Sequence, residues 1–118
     1  MRPSIVIVEP HPDMAAAFEE LLESAHFSPV VVPHLHTLAD VGDAPAAIVV
    51  RVDLDAPEHS PHEGLEQLPA GRPPIVAIAW TDDEIAEANR LGCEVVLRAP
   101  EEVKRLCKAL VEVTRDSA

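Results

Sequence analysis

A chain of 118 residues, 47% of them hydrophobic but only 3% aromatic and none tyrosine, has enough apolar matter for one packed domain with an aliphatic core. Its formal net charge of −12 repels phosphate backbones and anionic bilayers, which argues against nucleic-acid and membrane partners and for a protein partner with a basic face. Its two cysteines, Cys93 and Cys107, are widely spaced; this argues against a disulfide framework and for a reduced, cytoplasmic setting, and no stretch reads as a signal peptide or a membrane span.

Residues 4–8 read as a short buried strand. Pro12 then stands where proline opens a helix. Met14, Phe18, Leu21, Leu22 and Ala25 recur at helical spacing, with Glu19, Glu20 and Glu23 on the opposite face. Residues 29–32, bounded by prolines, read as a second strand. A helix over 37–41 would be short, because Gly42 and Pro45 limit it. The stretch 46–55 is apolar from Ala46 to Val50 and rich in β-branched side chains, as suits a strand buried on both faces of a parallel sheet. Arg51, Asp53 and Asp55 follow at its carboxyl end, where ligands of open α/β sheets gather.

A long loop over 53–63 carries two prolines and two histidines. A stub of helix over 64–68 is stopped by Pro69, Gly71, Pro73 and Pro74. Residues 75–80 form a fourth strand ending in Trp80. Thr81 and Glu84 have the spacing of a capping box, and the helix they open runs to about Leu91, with Gly92 as terminator. Residues 94–98 make a fifth strand. Pro100 then opens a final helix whose inner stripe is Val103, Leu106, Leu110 and Val113, with Glu101, Glu102, Lys104 and Lys108 facing water. Strand and helix alternate throughout, which predicts a parallel sheet covered on both faces, a three-layer α/β sandwich.

Three segments carry a resemblance. Ile5-Val6-Ile7-Val8-Glu9-Pro10-His11-Pro12 resembles the first strand, acidic pair and helix-opening proline of the CheY-like receiver domains of bacterial response regulators. Gly64-Leu65-Glu66-Gln67-Leu68 resembles the opening of their third helix. Gly92-Cys93-Glu94-Val95-Val96-Leu97-Arg98-Ala99-Pro100 resembles their closing Gly-Ala and Lys-Pro segment. The likeness covers nearly the whole chain. It implies a flavodoxin-like fold with five parallel strands in the order 2-1-3-4-5 and helices on both faces, and a single receiver-like domain over residues 1–118 with no output domain.

The resemblance also implies a lost activity. A working receiver takes a phosphoryl group onto an aspartate with Mg²⁺, an ion that wants several hard oxygen ligands. At the acidic pair this chain has Glu9 and then Pro10, which offers no ligand. At the aspartate that accepts phosphate it has Arg51, whose guanidinium can neither attack phosphorus nor bind a cation. The hydroxyl of the fourth strand becomes Ala79, the lysine before the last proline becomes Ala99, and the fifth-strand aromatic becomes Val96.

The expectation is therefore a pseudo-receiver: no enzyme, no cofactor, and signalling by protein contact. In the family that contact runs through the fourth helix, fifth strand and fifth helix, here about residues 82–113. The partner is another signalling protein or a second copy. Arg51 is expected to neutralise Glu9, and Asp53 with it, because a lone charge at that edge is costly. Two readings stay open beside this one. Asp53 could serve as a displaced phosphoacceptor with Mg²⁺, and Arg51 could receive an anion or small ligand. The pairs His34/His36 and His59/His62 fall on different loops and are read as solvated rather than as metal ligands. Cys93 and Cys107 are read as buried and inert, and Trp80 as either packed or set at a partner face. Nucleophile elbow, Walker loop and dinucleotide fingerprint are all absent.

Overall fold

The computed structural model describes residues 2–33, 45–55, 62, 64–68 and 71–115. The helix expected over 37–41 lies outside them, as do His34, His36, His59 and most of the loop over 53–63. Five strands form one all-parallel sheet: β1 (Ser4–Val8), β2 (Ser28–Val32), β3 (Ala47–Arg51), β4 (Ile75–Ala79) and β5 (Val95–Arg98). Their spatial order is 2-1-3-4-5. Three α-helices are described, α1 (Pro12–Ser24), α2 (Asp82–Arg90) and α3 (Leu106–Arg115), with 3-10 turns at Leu65–Gln67 and Val103–Arg105. By position α2 and α3 are the fourth and fifth helices of the expected pattern.

Period-two alternation sorts the strand side chains into two cores. Ile5, Ile7, Ala47, Val49, Val76, Ile78 and Leu97 face α1 and α3, where Phe18, Leu22, Leu106 and Leu110 meet them. Val6, Val8, Ile48, Val50, Ile75 and Ala77 face the other way, against Leu65 of the 3-10 turn and Ala88 of α2. Continuous apolar runs in β1, β3 and β4 thus feed both layers at once. Cys107 packs on the α1/α3 side and Cys93 on the α2 side. Burial raises both thiols above their ordinary value, Cys93 to about 11, so neither forms a thiolate near neutral pH.

Several boundaries differ from the sequence expectation. β4 stops at Ala79, so Trp80 follows the strand and is exposed rather than packed within it. Leu21, assigned to the inner stripe of α1, is exposed at the flank; Phe18, Leu22 and Ala15 carry that face. Pro100 does not open the last helix. Glu102 Oε1 accepts from Arg98 N–H at 2.8 Å and Glu102 N–H donates to the Arg98 carbonyl at 2.8 Å. This holds residues 98–102 as a turn, and α3 begins only at Leu106. Val103 and Val113, placed on its inner stripe, are half-buried against the core.

α2 ends as its sequence predicts. Gly92 takes a left-handed φ of 78°, and its N–H donates to the Asn89 carbonyl at 3.1 Å, a closure that glycine makes without steric cost. Arg72 reinforces it, donating to the carbonyls of Leu91 (3.3 Å), Gly92 (2.9 Å) and Leu65 (3.4 Å). A cation at a helix C-terminus also meets the negative end of the macrodipole. Arg72→Ala should cost about 1 kcal/mol, measurable by urea denaturation, whereas an unchanged midpoint would mean water replaces the guanidinium at no cost.

Candidate functional site

All the strands are parallel, so their carboxyl ends share one edge of the sheet, and the residues that the resemblance sets against a phosphorylation site gather there. Glu9 follows β1, Arg51 ends β3, Ala79 ends β4 and Ala99 follows β5. Glu9 is only 3% exposed, although it is charged and lies one residue beyond an apolar strand. Its backbone N–H donates to the Val32 carbonyl at 3.0 Å, which extends the β1–β2 ladder and draws the side chain in.

Arg51 is the centre of the site. One terminal nitrogen donates to Glu9 Oε1 at 3.1 Å and the other to Asp53 Oδ2 at 3.0 Å. The pairing expected with Glu9 is present, and Asp53 is drawn into it. Burial pushes the Glu9 carboxyl above its ordinary value, and the neighbouring guanidinium pulls against that rise without cancelling it. Glu9 Oε2 and Arg51 Nε are buried without a hydrogen-bond partner among the described residues, so the pair is only half-satisfied. Pro10 is exposed beside it and supplies no donor or acceptor side chain.

Ala79 and Ala99 are buried, and their backbones are tied by Ala99 N–H to the Ala79 carbonyl at 2.7 Å. Two methyl groups therefore lie at this edge, with no hydroxyl or ammonium at either position. Asp53 turns its other oxygen, Oδ1, to the N–H of Asp55 at 3.0 Å, an Asx turn that fixes the start of the loop. Both Asp53 oxygens are thus held within the chain.

Glu84 does more than its sequence spacing indicates. The capping box forms, with Glu84 N–H donating to Thr81 Oγ1 at 3.1 Å and Thr81 N–H donating to Glu84 Oε1 at 3.2 Å. Thr81 therefore acts as the helix cap that its spacing predicts. The same Oε1 accepts from Trp80 N–H at 2.8 Å, and Oε2 accepts from Leu54 N–H at 3.2 Å. A carboxylate that is 5% exposed so fastens the loop after β3 to the loop after β4. The Thr81/Glu84 spacing signals the cap; the reach to Leu54, thirty residues away, leaves no local trace.

Among the described residues one group of carboxylates could hold a divalent ion: Asp53, Asp55 and Glu84, whose ligand atoms all lie within 4.8 Å of one another. The edge position at Glu9 and Arg51 fits Mg²⁺ poorly. Pro10 follows Glu9 where a second carboxylate would serve, and a guanidinium already supplies the positive charge there. His62, expected as a solvated loop residue, is instead buried, with Nε2 at 4.0 Å from Glu87.

No family model matches the chain, and no curated protein matches it. Solved structures do. A sensor protein from Polaromonas sp. JS666 is 21% identical, with a TM-score of 0.81 over 100% of both chains. The receiver domain of Francisella response regulator 1452 is 13% identical, with a TM-score of 0.82 over 99% of this chain and 100% of its own. A CheY-like receiver domain from Methylobacillus flagellatus is 24% identical, with a TM-score of 0.76 over 96% and 99%. With the strand order above, these place the chain in the CheY-like, flavodoxin-type fold.

Proposed function

From the CheY-like fold as premise, we propose that this chain is a phosphorylation-independent pseudo-receiver that acts in signal transduction by binding a protein. One observation carries the reading: the cation at the end of β3 is Arg51, held at 3.1 Å from Glu9 and 3.0 Å from Asp53. A guanidinium in that place supplies internally the positive charge that a metal would bring, and it leaves no nucleophile where phosphate would be received. Signalling then rests on the surface formed by α2, β5 and α3, with another signalling protein or a second copy as the partner.

The carboxylate group around Asp53 supports a second reading, a receiver that takes phosphate on Asp53 with Mg²⁺ at Asp55 and Glu84. Against it, Asp53 already accepts from Arg51 and from Asp55 N–H, and both Glu84 oxygens accept backbone N–H groups. Anion capture by Arg51 is disfavoured for a similar reason. Both terminal nitrogens already donate to carboxylates, one to Glu9 and one to Asp53, so an anion would have to compete with them.

Incubation with Mg²⁺ and a small phosphodonor such as acetyl phosphate, followed by intact-mass measurement, tests the choice. The expected outcome is an unmodified chain. A phosphoryl adduct that disappears in Asp53→Asn would replace this reading with the second.

A further inference from the structure

Among the described residues the large apolar side chains that stand exposed are Leu21, Leu54, Trp80 and Val111. Two of these share one place. Leu54 follows β3 and Trp80 follows β4, strands that are neighbours in the sheet. Their N–H groups donate to the two oxygens of the Glu84 carboxylate, at 3.2 and 2.8 Å. One buried side chain thus holds both backbones, and the leucine and the indole rise from adjoining points of the carboxyl edge. Trp80 is 42% exposed and Leu54 46%. The backbone under each is tied, so their exposure belongs to the folded edge. Apolar anchors fixed in advance lose little freedom when a partner arrives, and tryptophan is enriched where proteins meet.

Carboxylates surround the pair. Asp53 and Asp55 flank Leu54, and Asp82 and Asp83 follow Trp80. Arg51 engages Asp53 and Arg98 engages Asp82. Asp82 nonetheless keeps 90% of its side chain exposed. Asp55 and Asp83 are exposed and form no ion pair among the described residues. The field over this edge is therefore negative, on a molecule whose net charge is −12, and it turns away nucleic acid and anionic lipid. A metal ion could engage Asp53, Asp55 and Glu84 but would leave Trp80 and Leu54 in water. A second copy is repelled by its own charge, and a two-fold contact here would set these carboxylates against themselves.

We infer that the Trp80 and Leu54 edge receives a basic segment of a partner protein in which arginines alternate with aliphatic side chains. Arginine answers both features of the edge. Its planar guanidinium stacks on an indole face, and its fork of donors matches a carboxylate. The aliphatic side chains cover Leu54 and exclude water, which strengthens the ion pairs around them. This contact lies on the carboxyl edge and at the opening of α2, not along the surface of α2, β5 and α3. It gives a task to an edge that the pseudo-receiver reading leaves idle, and so goes beyond that reading.

Trp80 is the chain's one tryptophan, so its fluorescence reports on this edge directly. The full chain is titrated with a heptapeptide alternating arginine with leucine, beside one with glutamate for each arginine and one with serine for each leucine. The arginine–leucine peptide is expected to move Trp80 emission to shorter wavelength as the indole leaves water. Its affinity should fall about tenfold between low and half-molar salt. The serine peptide should bind about tenfold more weakly, and the glutamate peptide should not bind. Asp55→Asn with Asp83→Asn should weaken binding about tenfold, and Leu54→Ser about fivefold, both with unchanged circular dichroism spectra. Glu20→Gln with Glu23→Gln makes the same change of charge at exposed positions of α1 and should leave the affinity within about twofold. No spectral shift at millimolar peptide, a shift with the glutamate peptide, or equal losses from the two double variants would each overturn the proposal. A shift that grows with protein concentration in the absence of peptide would overturn it in favour of a second copy.

Discussion

Glu84→Ala is expected to lose about 3 kcal/mol of stability, a fall in Tm of about 10 °C for a domain of this size. The reason is the number of groups that one buried carboxylate satisfies. Trp80, Thr81 and Leu54 all donate their N–H groups to it, at 2.8, 3.2 and 3.2 Å. Hydrogen bonds to a charged acceptor are stronger than neutral ones, and a buried donor left without a partner carries its full desolvation cost. Glu84→Gln should lose about half as much, because an amide keeps one acceptor oxygen and turns an N–H₂ toward the remaining donors. Thermal melts followed by circular dichroism check both. If the alanine variant melts with the wild type, the two loops are held by packing and the carboxylate is incidental.

Arg51→Ala is expected to cost about 2–3 kcal/mol at neutral pH, with a dependence on acidity that identifies its cause. Truncation strands Glu9, whose side chain is 1% exposed, as a buried charge without its counterion. The native Glu9 carboxyl already lies above the ordinary 4.5 because burial outweighs the guanidinium. A group raised in the folded state binds its proton more tightly there than in the unfolded chain, so stability is greatest below the unfolded value and falls as pH rises through the folded one. Removing Arg51 deletes a force that holds the carboxyl down and carries that fall further up the scale. The deficit of the variant should therefore be small near pH 4 and largest near neutrality. Adding Glu9→Gln should recover part of it, since no charge is then left to strand. Denaturant titrations of the wild type and the two variants at two pH values measure this; a deficit that ignores pH would mean the arginine stem, rather than its charge, supports the edge.

These two residues also mark how far the sequence could be read. The strands announced themselves because β1, β3 and β4 are buried on both faces, so their apolar runs are unbroken and need no knowledge of neighbours. Arg51 and Glu9 could be paired on paper because parallel strands end at one edge, and strand order then makes them neighbours. The double use of Glu84 could not be read, since its second partner is a backbone N–H, which no residue type signals. The late start of α3 was hidden by Glu102, whose side chain turns back on Arg98 and holds a turn where Pro100 suggests a helix. Leu21 failed for a simpler reason: a stripe at helical spacing is wider than the strip the sheet can cover, and its flank stays in water.

The two sulfur atoms lie on opposite sides of the sheet, Cys93 with the α2 layer and Cys107 with the α1/α3 layer. A disulfide requires Cα atoms within roughly 7 Å, and a whole layer of backbone stands between these two. An oxidant therefore cannot knot the chain to itself without unfolding it. Any covalent adduct that forms on the native molecule would join one chain to another or cap a single thiol.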